Sequence, residues 1–246
     1  VTPTISVTPT ISVTPTISIS KTPEPTVTPS ISVTQTPNTS SSTITRASFT
    51  TSNGTAMDWS VSLPSGKGGI LLLTVSAPGG ANTPTGFTLI DETRFGDGGS
   101  VTSAYWKIAS DNDPSTIAST YGSNDSGWVV VCERWMGVSG INASSVATTT
   151  KTTPSPINMT NPGITTTVPN CVIINSAGTS SYNTNINPIF TAPAGYKQIT
   201  NPGVVKSQNM ICSSILQPNA GSTGAVTAVA VTSATGVGFY SRLIAL

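Results

Sequence analysis

The chain has 246 residues, with 10 Lys or Arg against 9 Asp or Glu and no His, for a net charge of +1. So few cations, scattered singly, do not form the basic patch that nucleic-acid binding needs to neutralise phosphates. The lack of His removes the commonest general base and transition-metal ligand, and no run of about 18 apolar residues is present to span a membrane.

The N-terminal text keeps a two-residue rhythm. From Val1 to Pro37 every even position is Ser or Thr except Glu24, and every odd position is Val, Ile or Pro except Lys21 and Gln35. The unit VTPTIS opens the chain three times, at residues 1–6, 7–12 and 13–18. Side chains alternate across a β-strand, so this text writes one apolar face and one hydroxyl face. Pro3, Pro9, Pro15, Pro23, Pro25, Pro29 and Pro37 are all odd, which places every missing N–H on one strand edge. The other edge keeps its donors. Such a strand pairs on one side and is blunted on the other.

Two readings stay open for this segment. In the first it is a donor strand, with Val1, Ile5, Val7, Ile11, Val13 and Ile17 entering an apolar groove of an identical subunit. In the second it is an extended Ser/Thr/Pro stalk, with Thr2, Thr4, Thr8, Thr10, Thr14 and Thr16 as O-glycosylation acceptors. The two are compatible, because the hydroxyl face can carry covalent glycans while the apolar face binds.

Composition changes near residue 43. Residues 1–42 hold 21 Ser or Thr, 7 Pro, no aromatics, and only Lys21 and Glu24 as charges. Residues 43–246 hold all four Trp and all three Cys. The expected organisation is an extended tail, 1–42, and one domain, 43–246, long enough for a sizeable core. The start at Val1 rather than Met suits a mature or trimmed product.

Beyond the tail the text reads as short strands. They are expected at Ile44–Thr51, Met57–Leu63, Gly69–Ser76, Gly86–Glu92, Val101–Ala109, Ser115–Tyr121 and Trp128–Trp135. Further strands are expected at Ser145–Thr150, Gly163–Thr167, Cys171–Ser176, Tyr196–Thr200, Val204–Leu216, Ala225–Thr232 and Val237–Ala245. Turn text such as PSGKGG, FGDGGS and SDNDPS separates them, and helical periodicity is absent. The fold class is therefore all-β, a single antiparallel β-sandwich of jelly-roll-like kind, with Trp106, Trp128, Trp135 and Phe239 in its core.

Cys132, Cys171 and Cys212 each sit in apolar strand text, as buried thiols do. In an oxidising compartment Cys171 and Cys212, on runs that look like neighbouring strands, are the pair expected to bridge. Asn38, Asn53, Asn124, Asn142 and Asn158 each begin an Asn-x-Ser/Thr triplet and are candidate N-glycosylation sites. Seven of the nine acidic residues fall between 91 and 133. Asp97, Asp111 and Asp113 lie in turns, the one place where a Ca²⁺ would be sought. Turn chemistry accounts for them, so no cofactor is expected. With no His beside any Ser and no paired carboxylates across a cleft, no enzyme is expected. Tyr105, Tyr121, Tyr182, Tyr196 and Tyr240 are the aromatics available for a sugar platform.

The order of GGILLLTVSAPGGANTPTGFTLIDE, SAYWKIASDNDPSTIASTY, WVVVCERWMGV, TTTVPNCVIINSAG, TAPAGYKQI and GSTGAVTAVAVTSATGVGFYSRLIAL resembles a β-sandwich module recurrent in phage structural proteins and in bacterial surface or secreted proteins. The resemblance covers about residues 66–246 and leaves the tail aside. Cys132-Glu133-Arg134 interrupts the family's aliphatic strand. It implies a structural or adhesive module without catalysis. The expectation is thus an extracellular filament subunit joined head to tail by its N-terminal segment. The alternative is a glycan-binding adhesin or a phage or virus fibre or decoration protein on a glycosylated stalk.

Overall fold

Alternating and continuous apolar runs become two kinds of strand. In the computed structural model β1 (Thr45–Gly54), β2 (Asp58–Ser62), β3 (Ile70–Pro78), β4 (Thr88–Phe95), β5 (Ser100–Ile108), β6 (Thr116–Thr120) and β7 (Trp128–Met136) come first. Then follow β8 (Ala143–Lys151), β9 (Ile157–Asn161), β10 (Thr165–Thr166), β11 (Cys171–Ser180), β12 (Ile189–Thr191) and β13 (Lys197–Thr200). The last are β14 (Gln208–Gln217), β15 (Gly221–Ser222), β16 (Val226–Val231) and β17 (Val237–Ala245). The structure describes residues 43–56, 58–80, 82–96, 99–120, 127–151, 156–180, 188–200, 208–232 and 237–246. The all-β antiparallel class expected from the sequence is what is found.

Two five-stranded sheets stand at the centre, in the orders β1-β7-β3-β5-β4 and β13-β14-β11-β17-β8. Small sheets flank them, β2-β6 beside the first and β12-β16-β9 beside the second, with β10-β15 as a short ribbon. This layering explains the apolar runs. β3 and β11 are buried along their whole length because each has one face against the other central sheet and one under a flanking sheet. Leu71, Leu73, Val75 and Val130 pack outward with Trp59, Val61 and Ile117. Ile70, Leu72 and Trp135 pack inward with Val172, Ile174 and Ile244. Met159, Ala177, Phe190, Ala228 and Phe239 close the far layer.

The two central sheets are copies of one plan. Read β8, β9, β11, β13, β14, β16 and β17 for β1 to β7, and the second sheet order and its β9-β16 pair reproduce the first. Finer features repeat too. The turn Pro84-Thr85-Gly86-Phe87 leads into β4 and Pro193-Ala194-Gly195-Tyr196 into β13. Each is closed by a 3.0 Å hydrogen bond from the aromatic N–H to the proline carbonyl. Gly86 and Gly195 both have φ 81°, the left-handed third position that a type II turn reserves for glycine. Each following edge strand then carries a bulge at the same place, between Leu89 and Asp91 and between Gln198 and Thr200. The sandwich is thus built from two structural repeats within one chain.

With turn and bulge superimposed, the ladders match β5 to β14, β3 to β11 and β7 to β17 residue by residue. Ser100 corresponds to Gln208, Thr102 to Met210 and Val131 to Arg242. Between the sheets, Gln208 donates to Ser100 Oγ at 3.1 Å, so two equivalent residues meet. Arg242 contacts Thr102, and their counterparts Val131 and Met210 pack together. Reciprocal contacts of this kind define an isologous, pseudo-two-fold interface.

The expected Cys171–Cys212 bridge is corrected. All three cysteines are free and buried. β11 and β14 are indeed neighbours, but Cys171 stands opposite Gln217 and Cys212 opposite Ser176. Five rungs of about 3.4 Å separate the thiols, far beyond the Cα spacing of about 4.4–6.8 Å that a disulfide allows.

Candidate functional site

One open groove of about 480 Å³ lies on the second half. One wall is the Pro193–Tyr196 turn. The floor is the end of β14, Ile215 and Leu216, continuing into Gln217 and Pro218, and the other wall is Thr223, Ala225, Val226 and Thr227. Its volume falls in the range of about 300–1,000 Å³ typical of ligand pockets. Leu216 is 57 % exposed. Half-burial pushes the Tyr196 phenol up to about 12, so it stays neutral at physiological pH.

Among the described residues no charged side chain lines the groove, and its polar ones make internal hydrogen bonds. Gln217 Nε2 donates to the Gly221 carbonyl at 2.9 Å and to Thr166 Oγ1 at 3.2 Å, which holds the turn after β14. Thr223 Oγ1 donates to Gly224 O at 2.8 Å and accepts from the Ile164 N–H at 3.1 Å. Thr227 and Thr160 hydroxyls are 2.9 Å apart. What remains for a ligand is a mixed surface, more apolar than polar, with one tyrosine.

The same place on the first half is closed. There Phe87 replaces Tyr196 and Lys107 replaces Ile215. Lys107 Nζ lies 5.5 Å from the Phe87 ring centroid and 2.5 Å from Asp113 Oδ1. Asp113 is held in turn by the Ser110 N–H at 2.9 Å. A cation on a ring face, neutralised by a carboxylate, caps the aromatic.

A second cluster is buried between the central sheets. The Arg242 side chain is fully buried and donates to Asp91 Oδ1 at 2.6 Å, Thr102 Oγ1 at 2.8 Å and Thr102 O at 3.0 Å. Gln208 also donates to Ser180 Oγ at 2.9 Å and accepts from Ser76 at 2.8 Å. Glu133 is buried beside the Trp135 indole, which donates to it at 2.7 Å; burial raises its carboxyl to about 7. These groups face the interior and most of their polar atoms are paired there, while Asp91 Oδ2 has no hydrogen-bond partner among the described residues.

Most sequence-named residues fall elsewhere. Val1, Ile5, Val7, Ile11, Val13 and Ile17, the six threonines beside them, Asn38, Asp97, Tyr121, Asn124 and Tyr182 lie outside the described residues. Asn53 and Asn158 are exposed on strands. Asn142 uses its amide in both directions, donating to Thr167 Oγ1 at 2.8 Å and accepting from the Thr167 N–H at 3.0 Å. Asp111 lies 3.6 Å from Lys67 on the surface. Among the described residues no group of three or more His, Cys, Asp or Glu is placed to hold a metal ion. Tyr105 and Tyr240 are buried, and among the described residues Tyr196 is the partly exposed tyrosine. The groove was not foreseen, although the repeated Pro-x-Gly-aromatic text marks its rim. No family model matches the chain, and neither a curated protein nor a solved structure matches it significantly.

Proposed function

We propose that the chain is a structural subunit of an extracellular or surface assembly, joined to identical subunits through its N-terminal VTPTIS segment. One observation carries this reading. The inner strands β3 and β11 of the two central sheets are buried by other described strands, while residues 1–37 spell out a face of Val, Ile and Pro opposite a face of Ser and Thr. An extended segment with one apolar face suits docking on another subunit. Head-to-tail contacts between such arms and a neighbour are heterologous and build open filaments. The resemblance to phage and bacterial surface modules points the same way, and the Thr/Ser face is free to carry glycans.

The test is assembly of the full chain and of a variant lacking residues 1–20, watched by electron microscopy and light scattering. Loss of filaments with retention of the β-sheet circular dichroism spectrum is expected. Filaments of unchanged length from the deletion variant would reject the proposal. Ile11→Asp should impair assembly far more than Thr10→Asp, since only the odd face docks.

A further inference from the structure

We infer that the groove between the Pro193–Tyr196 turn and β16 receives the VTPTIS segment of another copy of this chain. The inference rests on arm-mediated assembly and names its acceptor.

The chemistry of the lining chooses the occupant. Gln217, Thr223 and Thr227 are committed to intrachain hydrogen bonds, so the groove offers few free polar groups to read sugar hydroxyls. It offers proline, aliphatic side chains and a tyrosine face, the surface on which extended proline-containing segments dock. The odd face of the repeat supplies Val, Pro and Ile, and the first 20 residues carry no charged side chain. An uncharged face of Val, Pro and Ile therefore meets a mainly apolar groove with no charged lining among the described residues. Residues 1–42 in extended form reach roughly 130–140 Å, against a radius of gyration of about 16 Å for a domain of this size, so the arm can reach a neighbour. Lys107 caps the equivalent aromatic on the first half, so of the two equivalent places among the described residues the second-half groove is the acceptor. One donor and one acceptor per chain give a head-to-tail, non-closing contact. Three identical hexads let the arm re-bind in successive registers, which raises its effective concentration at the groove.

The experiment compares the full chain with Leu216→Asp, Ile108→Asp and Ile11→Asp by sedimentation across a dilution series, with methyl NMR of Ile215 and Leu216. Leu216 and Ile108 occupy equivalent, exposed positions of the two halves (57 % and 61 %), so both aspartates are solvated and the second is the matched control. Leu216→Asp is expected to weaken self-association by roughly tenfold or more, the factor that about 1.4 kcal/mol represents. Ile108→Asp should leave it unchanged. An added Val1–Ser18 peptide should shift the Ile215 and Leu216 methyls and compete with assembly. Equal effects of Leu216→Asp and Ile108→Asp would overturn the groove assignment while arm-mediated assembly, read from Ile11→Asp, still stands. A harmless Ile11→Asp would overturn both. Methyl shifts produced by oligosaccharides and not by the peptide would replace the arm with a glycan. Groove occupancy that is independent of dilution would replace the second copy with the chain's own arm. If Leu216→Asp disturbs folding, Leu216→Ser serves for the same comparison.

Discussion

At equivalent positions of the two halves stand Val131 and Arg242, Met210 and Thr102, Ile244 and Glu133, Ile215 and Lys107. The halves share a strand order, a type II turn and a bulge, yet one member of each pair is aliphatic or Met and the other polar or charged. On one side of the pseudo-axis Val129, Val131, Met210 and Cys212 make a dry contact. On the other, Arg242, Thr102 and Asp91 make a hydrogen-bonded ionic one. The backbone plan thus tolerates either solution, the polar one paired internally through Arg242. At the surface the same divergence decides which half keeps an open groove.

The largest effect should come from breaking the ionic side. Arg242→Ala strands the Asp91 carboxylate, whose side chain is only 14 % exposed, and should cost about 3–5 kcal/mol in urea denaturation. Copying the dry side with Arg242→Val, Thr102→Met and Asp91→Thr together should recover most of that loss. A triple variant as unstable as the single one would show that the two sides are not interchangeable.

The next effect is pH dependence from Glu133, where the other half has Ile244. Its folded value of about 7 lies above the ordinary 4.5 because burial penalises the charged form. Between these values the folded state holds a proton that the unfolded chain has lost. Stability therefore falls as pH rises from about 4.5 to about 7 and is flat beyond, with a total change of roughly 3 kcal/mol. Glu133→Gln keeps an acceptor for the Trp135 indole and should flatten the curve. An unchanged slope in that variant would assign it to other groups.

A smaller effect on stability, but a gain in binding, is expected where the capped half is made to copy the open one. Lys107→Ile with Asp113→Gly removes the cation over Phe87 and its counter-ion, whose side chains are only 16 % and 13 % exposed; because both charges leave together neither is stranded, and the cost should be modest. The variant should take up a second Val1–Ser18 peptide, counted by titration calorimetry; a single binding event would show that the cap does not close the first site. Smallest of all, Lys67→Ala removes a 3.6 Å pair to Asp111 between side chains 78 % and 68 % exposed. The melting temperature should barely move.

Several of these features were legible before folding. The alternation of Asp58–Ser62 and the continuous apolar run Ile70–Leu73 announce a half-buried and a fully buried strand, and the structure has both. The repeated Pro-x-Gly-aromatic text at Pro84–Phe87 and Pro193–Tyr196 marked the structural repeat, which stayed hidden because the strands around it differ in sequence. The disulfide expectation failed on register: neighbouring strands are readable from apolar text, but which rungs face each other is set by turns and bulges far along the chain.

The sequence alone determined the all-β class, the glycine-dependent turns and the two-faced N-terminal repeat, because these depend on periodicity and on single-residue backbone preference. Only the tertiary structure decided that the sheets are copies meeting about a pseudo-two-fold axis. It also decided that Arg242 finds Asp91 across 151 positions, and that Lys107 closes one aromatic while Ile215 leaves the other open. Strand periodicity says which side chains share a face; it does not say which face comes to lie against it, and that choice is made by packing residues distant in the chain.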